Sequence, residues 1–454
     1  MRIGIDIHVL RHVQSGLFYY VSNLVRSLSE SEHKPQITLF LYGPSCLDAR
    51  ERMRQLRRTF RNARVEHFWD GLPLRLFSNS LAAELLGSPQ LLRTIDQNFI
   101  VPLWHRIGTS AKLGITWGRD GSRLSRKVDI VHHPCGLILP VHDRANVMTV
   151  PDLIPRHFPQ LCGAGTIALA EEAYGCLDRM DVVVTFSQHT KTDVVETLGV
   201  PEEKIHVVPL AAHSQYRPLQ PETRLPVLAK FGLAGRRYIL YLGSLDPRKN
   251  IARLVEGFHR LRQETPALDH RLVLAGPKGW MTEGVFDTIT RLGLQSQVTW
   301  LGHVPFEDLP ALLGGADLFV YPSLYEGFGL PPLEAMACGT PVVASRATSL
   351  PEVIGDAGLL VDAARVEDLA EAMHRVITDR ALHAALAAQG LARASTFSWR
   401  QTGHLTLAAY EAALAGARTR PRPVPNRQRA QPLRATAREW VIGRVHYPSG
   451  RTPT

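Results

Sequence analysis

The chain has 454 residues, more than one hydrophobic core usually serves, so two domains are expected. Hydrophobic residues make up 45% and charged residues 21%, which excludes a chain that is disordered throughout. No apolar run reaches the ~18 residues of a membrane-spanning helix, so we expect no such span.

The formal net charge of +10 is concentrated near one end of the sequence. Residues 417–454 contain nine arginines and a single acid, Glu439, so the rest of the chain is close to neutral. We expect this proline-rich tail to be disordered and solvated, and its alternative role is an anchor for anionic lipid or nucleic acid. Of these two, an anionic membrane surface is the possible partner, and nucleic acid is not expected.

The cysteines and the first residues of the sequence indicate the cellular compartment in which the protein is expected. The five cysteines are scattered without CxxC pairing, which argues against a disulfide framework or a structural zinc site. The sequence opens on a strand-like segment, Arg2 to Ile7, and not on a signal peptide. We therefore expect a cytoplasmic protein, with peripheral attachment to the inner face of a membrane as an option.

Short aliphatic runs alternate with turns and helical periodicity in the first half. This alternation predicts an α/β protein with parallel sheets flanked by helices. Gly16 follows the first strand and opens a helix to about Leu28, although the segment lacks the GxGxxG spacing of dinucleotide-binding proteins. The predicted strands are Ile3 to Ile7, Ile37 to Tyr42, Asp129 to His132, Val147 to Val150 and Val182 to Phe186.

Two segments interrupt this pattern. Residues 50–64 carry seven arginines above an apolar stripe, which predicts a surface helix or, as the alternative, an interfacial one. Residues 70–127 hold several tryptophans and phenylalanines and are expected to pack on the first sheet, to line an acceptor groove or to face a membrane.

A proline-rich stretch, His213 to Pro226, predicts the linker to a second α/β unit of about 180 residues. Helices should begin near Asn250, Phe306, Pro331 and Val366, and a last helix follows Phe397-Ser398-Trp399. The strands predicted here are Tyr238 to Leu242, Arg271 to Ala275, Val298 to Leu301, Leu318 to Tyr321, Val342 to Ala344 and Leu359 to Val361.

The motif GSLDPRKN, residues 243–250, lies between a strand and a helix, where open α/β sheets bind ligands. Ser244, Arg248 and Lys249 sit in this loop, so two cations and free backbone N–H groups converge there. A diphosphate would suit them, with the arginine as a planar fork and the lysine as a point charge. The alternative is an ordinary turn with a solvated charge pair.

The motif YEGFGLPPLE, residues 325–334, places two carboxylates, Glu326 and Glu334, around a turn that opens a helix. Its glycines allow close approach of the backbone to a ligand, and its prolines suit a first helical turn. The pattern favours a long, anionic ligand such as a sugar nucleotide. Surface glutamates that complement a helix dipole are the alternative.

These motifs, together with Gly16 and Phe397-Ser398-Trp399, resemble glycosyltransferase family 4, whose members are retaining enzymes of the GT-B fold. The resemblance covers most of residues 1–416, and Glu326 and Glu334 match the family's EX7E motif. It implies two Rossmann-like, doubly wound domains facing across a cleft. We expect an acceptor domain at 1–215, a donor domain at 216–396, a helix crossing back at 397–416 and the basic tail at 417–454.

The resemblance also implies the residue roles. Arg248 and Lys249 would neutralise the donor diphosphate, Glu334 would bond the ribose, and Glu326 would hold the donor sugar. Backbone N–H groups of Phe328, Gly329 and Leu330 would complete the binding site for the sugar and the phosphates. Gly16 and Ser244 would approach this site from other loops.

Two further catalytic candidates rest on the same resemblance. Asp152 stands where the family often has a His-Asp pair, although the histidine is replaced here by Pro151. His132 and His133 resemble a position where histidine approaches the donor sugar, and His132 is the candidate taken from this pair. A structural hydrogen bond is the alternative role for either histidine.

The function expected is transfer of a hexose, with mannose from GDP-mannose as the first candidate, to a lipid-linked or polysaccharide acceptor such as lipopolysaccharide. We expect retention by front-face attack without a covalent intermediate, and no metal cofactor, since the chain has no Asp-x-Asp motif. The alternatives are a sugar-nucleotide epimerase or hydrolase of the same fold, and a non-catalytic scaffold bound to a membrane or nucleic acid through the tail.

Overall fold

The computed structural model describes residues 1–7, 16–42, 60, 63–68, 126–134, 141, 143–279 and 282–419. Three predicted features therefore lie almost wholly outside the described residues: the arginine-rich helix at 50–64, the insertion at 70–127 and the tail at 417–454.

The N-terminal domain is built on a sheet whose strands are all parallel. Its described strands are β1 (Arg2–Asp6), β2 (Gln36–Tyr42), β3 (Arg64–Phe68), β4 (Ile130–His133), β5 (Ala145–Thr149), β6 (Val182–Thr185) and β7 (Ile205–Val207). Their order is β3-β2-β1-β4-β5-β6-β7. The central strands are continuous buried runs, as expected of a parallel sheet covered on both faces.

Helices cover this sheet. They are α1 (Gly16–Glu30), α2 (Ile154–His157), α3 (Ala164–Tyr174) and α4 (Gln188–Leu198). Helix α1 buries one face, with Tyr20, Leu24 and Leu28 four residues apart. Helix α4 begins at the cap Ser187, whose side chain accepts from the Thr190 N–H.

The C-terminal domain repeats this plan. Its strands are β8 (Tyr238–Leu242), β9 (Arg271–Ala275), β10 (Val298–Gly302), β11 (Leu318–Tyr321), β12 (Val342–Ser345) and β13 (Leu359–Val361), in the order β10-β9-β8-β11-β12-β13. Its helices are α5 (Pro221–Lys230), α6 (Ile251–Glu264), α7 (Glu283–Arg291), α8 (Leu309–Gly314), α9 (Leu330–Ala337), α10 (Leu350–Ile354), α11 (Val366–Thr378) and α12 (Arg380–Ser395).

A last helix, α13 (Trp399–Thr419), returns to the N-terminal domain. It packs against α1, where Ser27 Oγ donates to the Trp399 carbonyl at 2.6 Å. Thr402 Oγ1 donates to the carbonyl of Pro209 at 2.7 Å. The two sheets and this helix share one continuous hydrophobic core.

Strand order places the functional loops. In each sheet the order reverses beside a central strand, between β1 and β4 in one and between β8 and β11 in the other. Loops at the carboxyl ends of strands flanking such a reversal form a crevice. Gly16 follows β1, the GSLDPRKN loop follows β8, and the segment with Glu326 follows β11.

The structure corrects two local predictions. Arg64 lies in strand β3, not in a helix that ends the arginine cluster. Helix α5 begins within the predicted linker and takes its last part, residues 221–226. Pro221 suits the first turn of this helix, and buried Leu228 gives it a packing face. The predicted boundary between residues 215 and 216 falls between β7 and β8.

Among the described residues, none of the helices combines the length and the hydrophobicity needed to cross a lipid bilayer.

Candidate active site

A cleft of about 630 Å³ opens between the two domains. Ten of the eleven predicted site residues line it. They are Gly16, Asp152, Ser244, Arg248, Lys249, Glu326, Phe328, Gly329, Leu330 and Glu334. The eleventh, His132, does not line it.

Glu326 lies at the centre of a buried polar cluster. Its Oε1 accepts hydrogen bonds from Lys249 Nζ at 2.5 Å and Arg248 Nη1 at 2.9 Å. It also accepts from Ser323 Oγ at 2.5 Å and from the Tyr321 hydroxyl at 3.0 Å. Among the described residues, none donates a hydrogen bond to the other carboxylate oxygen, Oε2.

The two cations keep Glu326 ionised. Burial alone would raise the pKa of this carboxyl, but attraction to Lys249 and Arg248 outweighs it and lowers the pKa to about 2. Glu326 therefore carries a negative charge at neutral pH, and its counter-charges are already in place. Such a carboxylate is a weak nucleophile but a strong acceptor for hydroxyl groups.

Both cations retain spare hydrogen-bond donors. Lys249 Nζ carries three protons and uses two, toward Glu326 and the Tyr321 hydroxyl at 2.7 Å. Arg248 carries five N–H groups, and its described bonds use one nitrogen, Nη1, toward Glu326 and the Tyr325 carbonyl at 2.5 Å. Its Nε also lies 4.0 Å from Asp246. An anionic ligand in the cleft can therefore bind to cations that are already positioned.

Helix α9 begins at the same wall of the cleft. Gly329 precedes it with φ of 107°, and a Cβ there would lie 2.6 Å from Leu350 Cδ2, so only glycine fits. Ser349 Oγ donates to the carbonyls of Glu326 and Phe328 at 2.8 and 2.9 Å. The turn that carries the carboxylate is therefore held by Ser349, the residue that precedes helix α10.

Glu334, on α9, has a different environment from Glu326. It is half-buried, and burial raises its pKa to about 8, an effect that the Tyr216 hydroxyl partly offsets. Nearby Tyr19 has its pKa raised to about 12 by burial and by Glu334. Tyr19 also stacks on Phe306, with ring centroids 4.4 Å apart. The pKa values of the two acids of the motif are thus shifted in opposite directions.

The N-terminal domain contributes Asp152 and Gly16. Burial raises the pKa of Asp152, whose carboxylate accepts from the Ile154 N–H at 3.0 Å. A side chain at Gly16 would meet no atom within 4 Å, so the protein's own packing does not require glycine there. Close approach by a ligand remains a reason for it.

His132 is placed in the core. It is fully buried, with Nδ1 2.8 Å from the Tyr410 hydroxyl on α13 and Nε2 2.8 Å from Thr149 Oγ1. Burial lowers its pKa to about 3. Since both ring nitrogens are engaged away from the cleft, the structure does not support the predicted contact between His132 and a donor sugar.

Several residues that line the cleft or contact its lining were not identified from the sequence. Tyr321 and Ser323 hold Glu326, and their proximity in sequence could have suggested this role. The stacked pair Tyr19 and Phe306 carries no such signal, because its members come from different domains. Burial of Tyr325 against the N-terminal domain was likewise not predicted.

No group of three or more metal-ligating side chains occurs in the part of the chain that the structure describes. A second cavity, of about 620 Å³, lies between α1 and α13. Its charged residues Arg26, Glu30, Glu32 and Arg400 are exposed, and none of the predicted site residues lines it.

Comparison with known proteins agrees with this geometry. A family model described as "Glycosyl transferases group 1" matches residues 229–393. The O-antigen chain mannosyltransferase B of Escherichia coli is 37% identical over 284 residues, covering 62% of this chain and 74% of that protein. The serotype-specific mannosyltransferase WbdA of Escherichia coli is 32% identical over 233 residues, or 51% of this chain and 28% of the relative.

Solved structures show the same architecture. The crystal structure of HepE from Anabaena, in complex with UDP and glucose, superposes with a TM-score of 0.65. The superposition covers 91% of this chain and 100% of the HepE chain. The sequences are 18% identical over it, so the comparison shows a shared fold.

Proposed function

Because the chain belongs to the group 1 glycosyltransferases and has their GT-B fold, we propose that it transfers mannose from a nucleoside diphosphate sugar, with GDP-mannose as the first candidate. We further propose that it is a retaining member of family 4 and that its acceptor is a lipid-linked saccharide or a polysaccharide of the O-antigen class. The named activities of the relatives support the sugar and the acceptor class.

One observation carries this proposal. Arg248, Lys249 and Glu326 form a pre-assembled group at the cleft wall, beside the start of α9. Two cations with spare N–H donors suit a diphosphate, and a carboxylate with a free oxygen suits sugar hydroxyls. Glu334, one turn into α9, suits the ribose.

The reaction separates charge along the donor. As the glycosidic bond breaks, the leaving diphosphate gains negative charge and the sugar becomes oxocarbenium-like. Arg248, Lys249 and the backbone N–H groups at Phe328, Gly329 and Leu330 stabilise the diphosphate without reorganising. Glu326 orients the sugar ring through its hydroxyls, while Asp152, on the opposite wall, orients the acceptor hydroxyl.

Retention follows from attack on the face that the diphosphate leaves. A route through a covalent intermediate would need a carboxylate nucleophile. In retaining hydrolases this nucleophile lies ~5 Å from a second carboxyl group that acts as the acid. Glu326 is committed to two cations, which makes it a poor nucleophile. The acceptor hydroxyl therefore attacks directly, and an oxygen of the leaving phosphate takes its proton. The two cations supply the positive charge, so we propose transfer without a metal.

A panel of nucleotide sugars tests the activity. The full chain should transfer mannose from one of them to a saccharide acceptor, and Glu326→Gln should abolish transfer. Turnover of the donor without acceptor would instead favour the epimerase or hydrolase alternative. If the chain lacking residues 420–454 still transfers sugar, the scaffold alternative is excluded.

Attachment of the basic tail to an anionic membrane surface is a separate part of the proposal. Its composition, nine arginines with one acid, supports it. Flotation with anionic vesicles, and none with neutral vesicles, is the expected result. Absence of the protein from both the anionic and the neutral vesicle fractions would contradict the proposed attachment.

A further inference from the structure

The two residues that flank Glu326 in the sequence both form hydrogen bonds with the N-terminal domain. Tyr325 and Gly327, the residues before and after Glu326, both contact helix α4. Glu326 itself contacts cations of the C-terminal domain. The three consecutive residues thus alternate between the two domains.

On one side, the Tyr325 hydroxyl donates to the Asp193 carboxylate. It also accepts from the Leu153 N–H at 3.4 Å, next to Asp152 of the cleft. Asp193 is buried and further accepts from Thr197 Oγ1 at 3.0 Å, and His157 Nε2 lies 2.7 Å from it. A buried carboxylate with this many partners has a well-determined position.

On the other side, the Gly327 carbonyl accepts from Ser187 Oγ at 2.8 Å and from Thr190 Oγ1 at 3.2 Å. A Cβ on Gly327 would lie 1.9 Å from the Pro151 carbonyl oxygen, so the two domains approach as closely as backbone allows. Ser187, Thr190 and Asp193 are three residues apart and share one face of α4.

The start of α4 is held by the C-terminal domain as well. The Glu352 carboxylate accepts from the N–H groups of Gln188 and His189 at 2.7 and 2.5 Å. A negative charge at a helix N-terminus is favoured by the helix dipole. Helix α4 is therefore secured at its first turn and along the face that meets Tyr325 and Gly327.

We propose that Asp193 and Tyr325 form an interdomain clamp that positions Glu326, so that the donor site is complete only when the N-terminal domain is docked on it. The inference rests on the proposed function, because Glu326 is assigned there to the donor sugar. Asp193 is a positioning residue and touches no substrate. The proposed diphosphate contacts, Arg248, Lys249 and the backbone at residues 328–330, all lie in the C-terminal domain. The Tyr325 carbonyl that accepts from Arg248 belongs to the backbone, so it is unchanged when either clamp side chain is substituted.

The test uses Asp193→Asn and Tyr325→Phe, which preserve shape. Each should lower kcat for sugar transfer by roughly tenfold, as expected for a hydrogen bond to a charged group. The affinity for GDP alone should change by less than about threefold, because Arg248 and Lys249 remain in place. The losses of kcat should not multiply in the double variant, because the hydrogen bond between Tyr325 and Asp193 is the contact that both substitutions disturb.

Tyr238→Phe is the matched control. It removes a buried tyrosine hydroxyl that donates to the Leu312 carbonyl at 2.6 Å within the C-terminal domain. Its kcat should stay at the wild-type value. Three results would each contradict the proposed clamp. They are an unchanged kcat in both clamp variants, losses of kcat that multiply in the double variant, and a loss of GDP affinity as large as the loss of kcat.

A second measurement separates the clamp from the activity. The radius of gyration from solution scattering should rise in Asp193→Asn and not in Tyr238→Phe, because the domains part more readily. A wild-type chain that transfers no sugar would contradict the proposed function and leave this comparison valid. An unchanged radius of gyration in Asp193→Asn would overturn the clamp.

Discussion

Substitution of Lys249 by methionine separates the structural role of the cation cluster from its proposed role in binding. The Lys249 side chain is 9% exposed and donates to Glu326 at 2.5 Å. Methionine retains most of the apolar stem and removes the charge. Glu326 is then left with Arg248 as its cation at 2.9 Å.

The stability cost follows from the pKa of Glu326. A folded-state pKa of about 2, against an ordinary value of 4.5, corresponds to about 3 kcal/mol of stability. Because the pKa is lowered, this stability is present above pH 4.5 and is lost as the pH falls through 2. Breaking one partner from a buried pair costs about 3 to 5 kcal/mol. Burial lowers the pKa of Lys249 itself, so removing its charge also relieves a desolvation cost. With Arg248 retained, we therefore expect a loss at the lower end of that range, about 3 kcal/mol, at pH 7.

Urea unfolding at pH 7 measures this loss, with Lys230→Met as the control. Lys230 pairs with Asp308 at 2.9 Å, but its side chain is 59% exposed, so its removal should cost less than about 1 kcal/mol. A cost for Lys249→Met no larger than for Lys230→Met would refute the assignment of Lys249 as a buried counter-ion.

Calorimetric titration with GDP measures the binding role on the same proteins. A charge-assisted hydrogen bond to phosphate is worth about 1.5 to 3 kcal/mol, so Kd should rise by roughly ten- to a hundredfold in Lys249→Met. An unchanged Kd, together with the loss of stability, would show that Lys249 only neutralises Glu326. The diphosphate assignment would then be wrong.

Three other predictions concern the walls of the cleft and the reaction. The raised pKa of Glu334, about 8, means that wild-type stability should fall as the pH rises from 4.5 to 8, and urea midpoints should show a flatter profile for Glu334→Gln. Gly327→Ala should lower kcat at least tenfold, because its Cβ meets the Pro151 carbonyl oxygen, whereas Gly284→Ala, with no atom within 4 Å, should not. Transfer should continue in excess EDTA; its loss, with recovery on adding Mg²⁺ or Mn²⁺, would contradict the proposed charge supply by arginine and lysine.

Buried central strands were predictable from the sequence because both of their faces are covered. Strands β8 and β11 are continuous apolar runs, and their predicted bounds, Tyr238 to Leu242 and Leu318 to Tyr321, agree with the structure. The strands that were missed, β3 and β7, lie at the two edges of the first sheet. An edge strand is short or partly exposed, so its apolar pattern is weaker.

The loops after β8 and β11 were also predictable, since charged residues and glycines at those places have few structural uses. Contacts between side chains that are distant in the sequence were not predictable. His132 looked available because nothing near it in sequence engages it, yet Tyr410, 278 residues away, lies against its ring. Asp193 similarly meets Tyr325 across 132 residues. Only the packing of α13 and the closure of the domains bring these pairs together.

The structure of the chain with an intact nucleotide sugar is the most direct test of the central claim. The diphosphate oxygens should lie within ~3 Å of nitrogens of Arg248 and Lys249, with a sugar hydroxyl on Glu326 and the ribose on Glu334. A sugar nucleotide bound elsewhere, with Arg248 and Lys249 still paired to Glu326 and touching no phosphate, would contradict it.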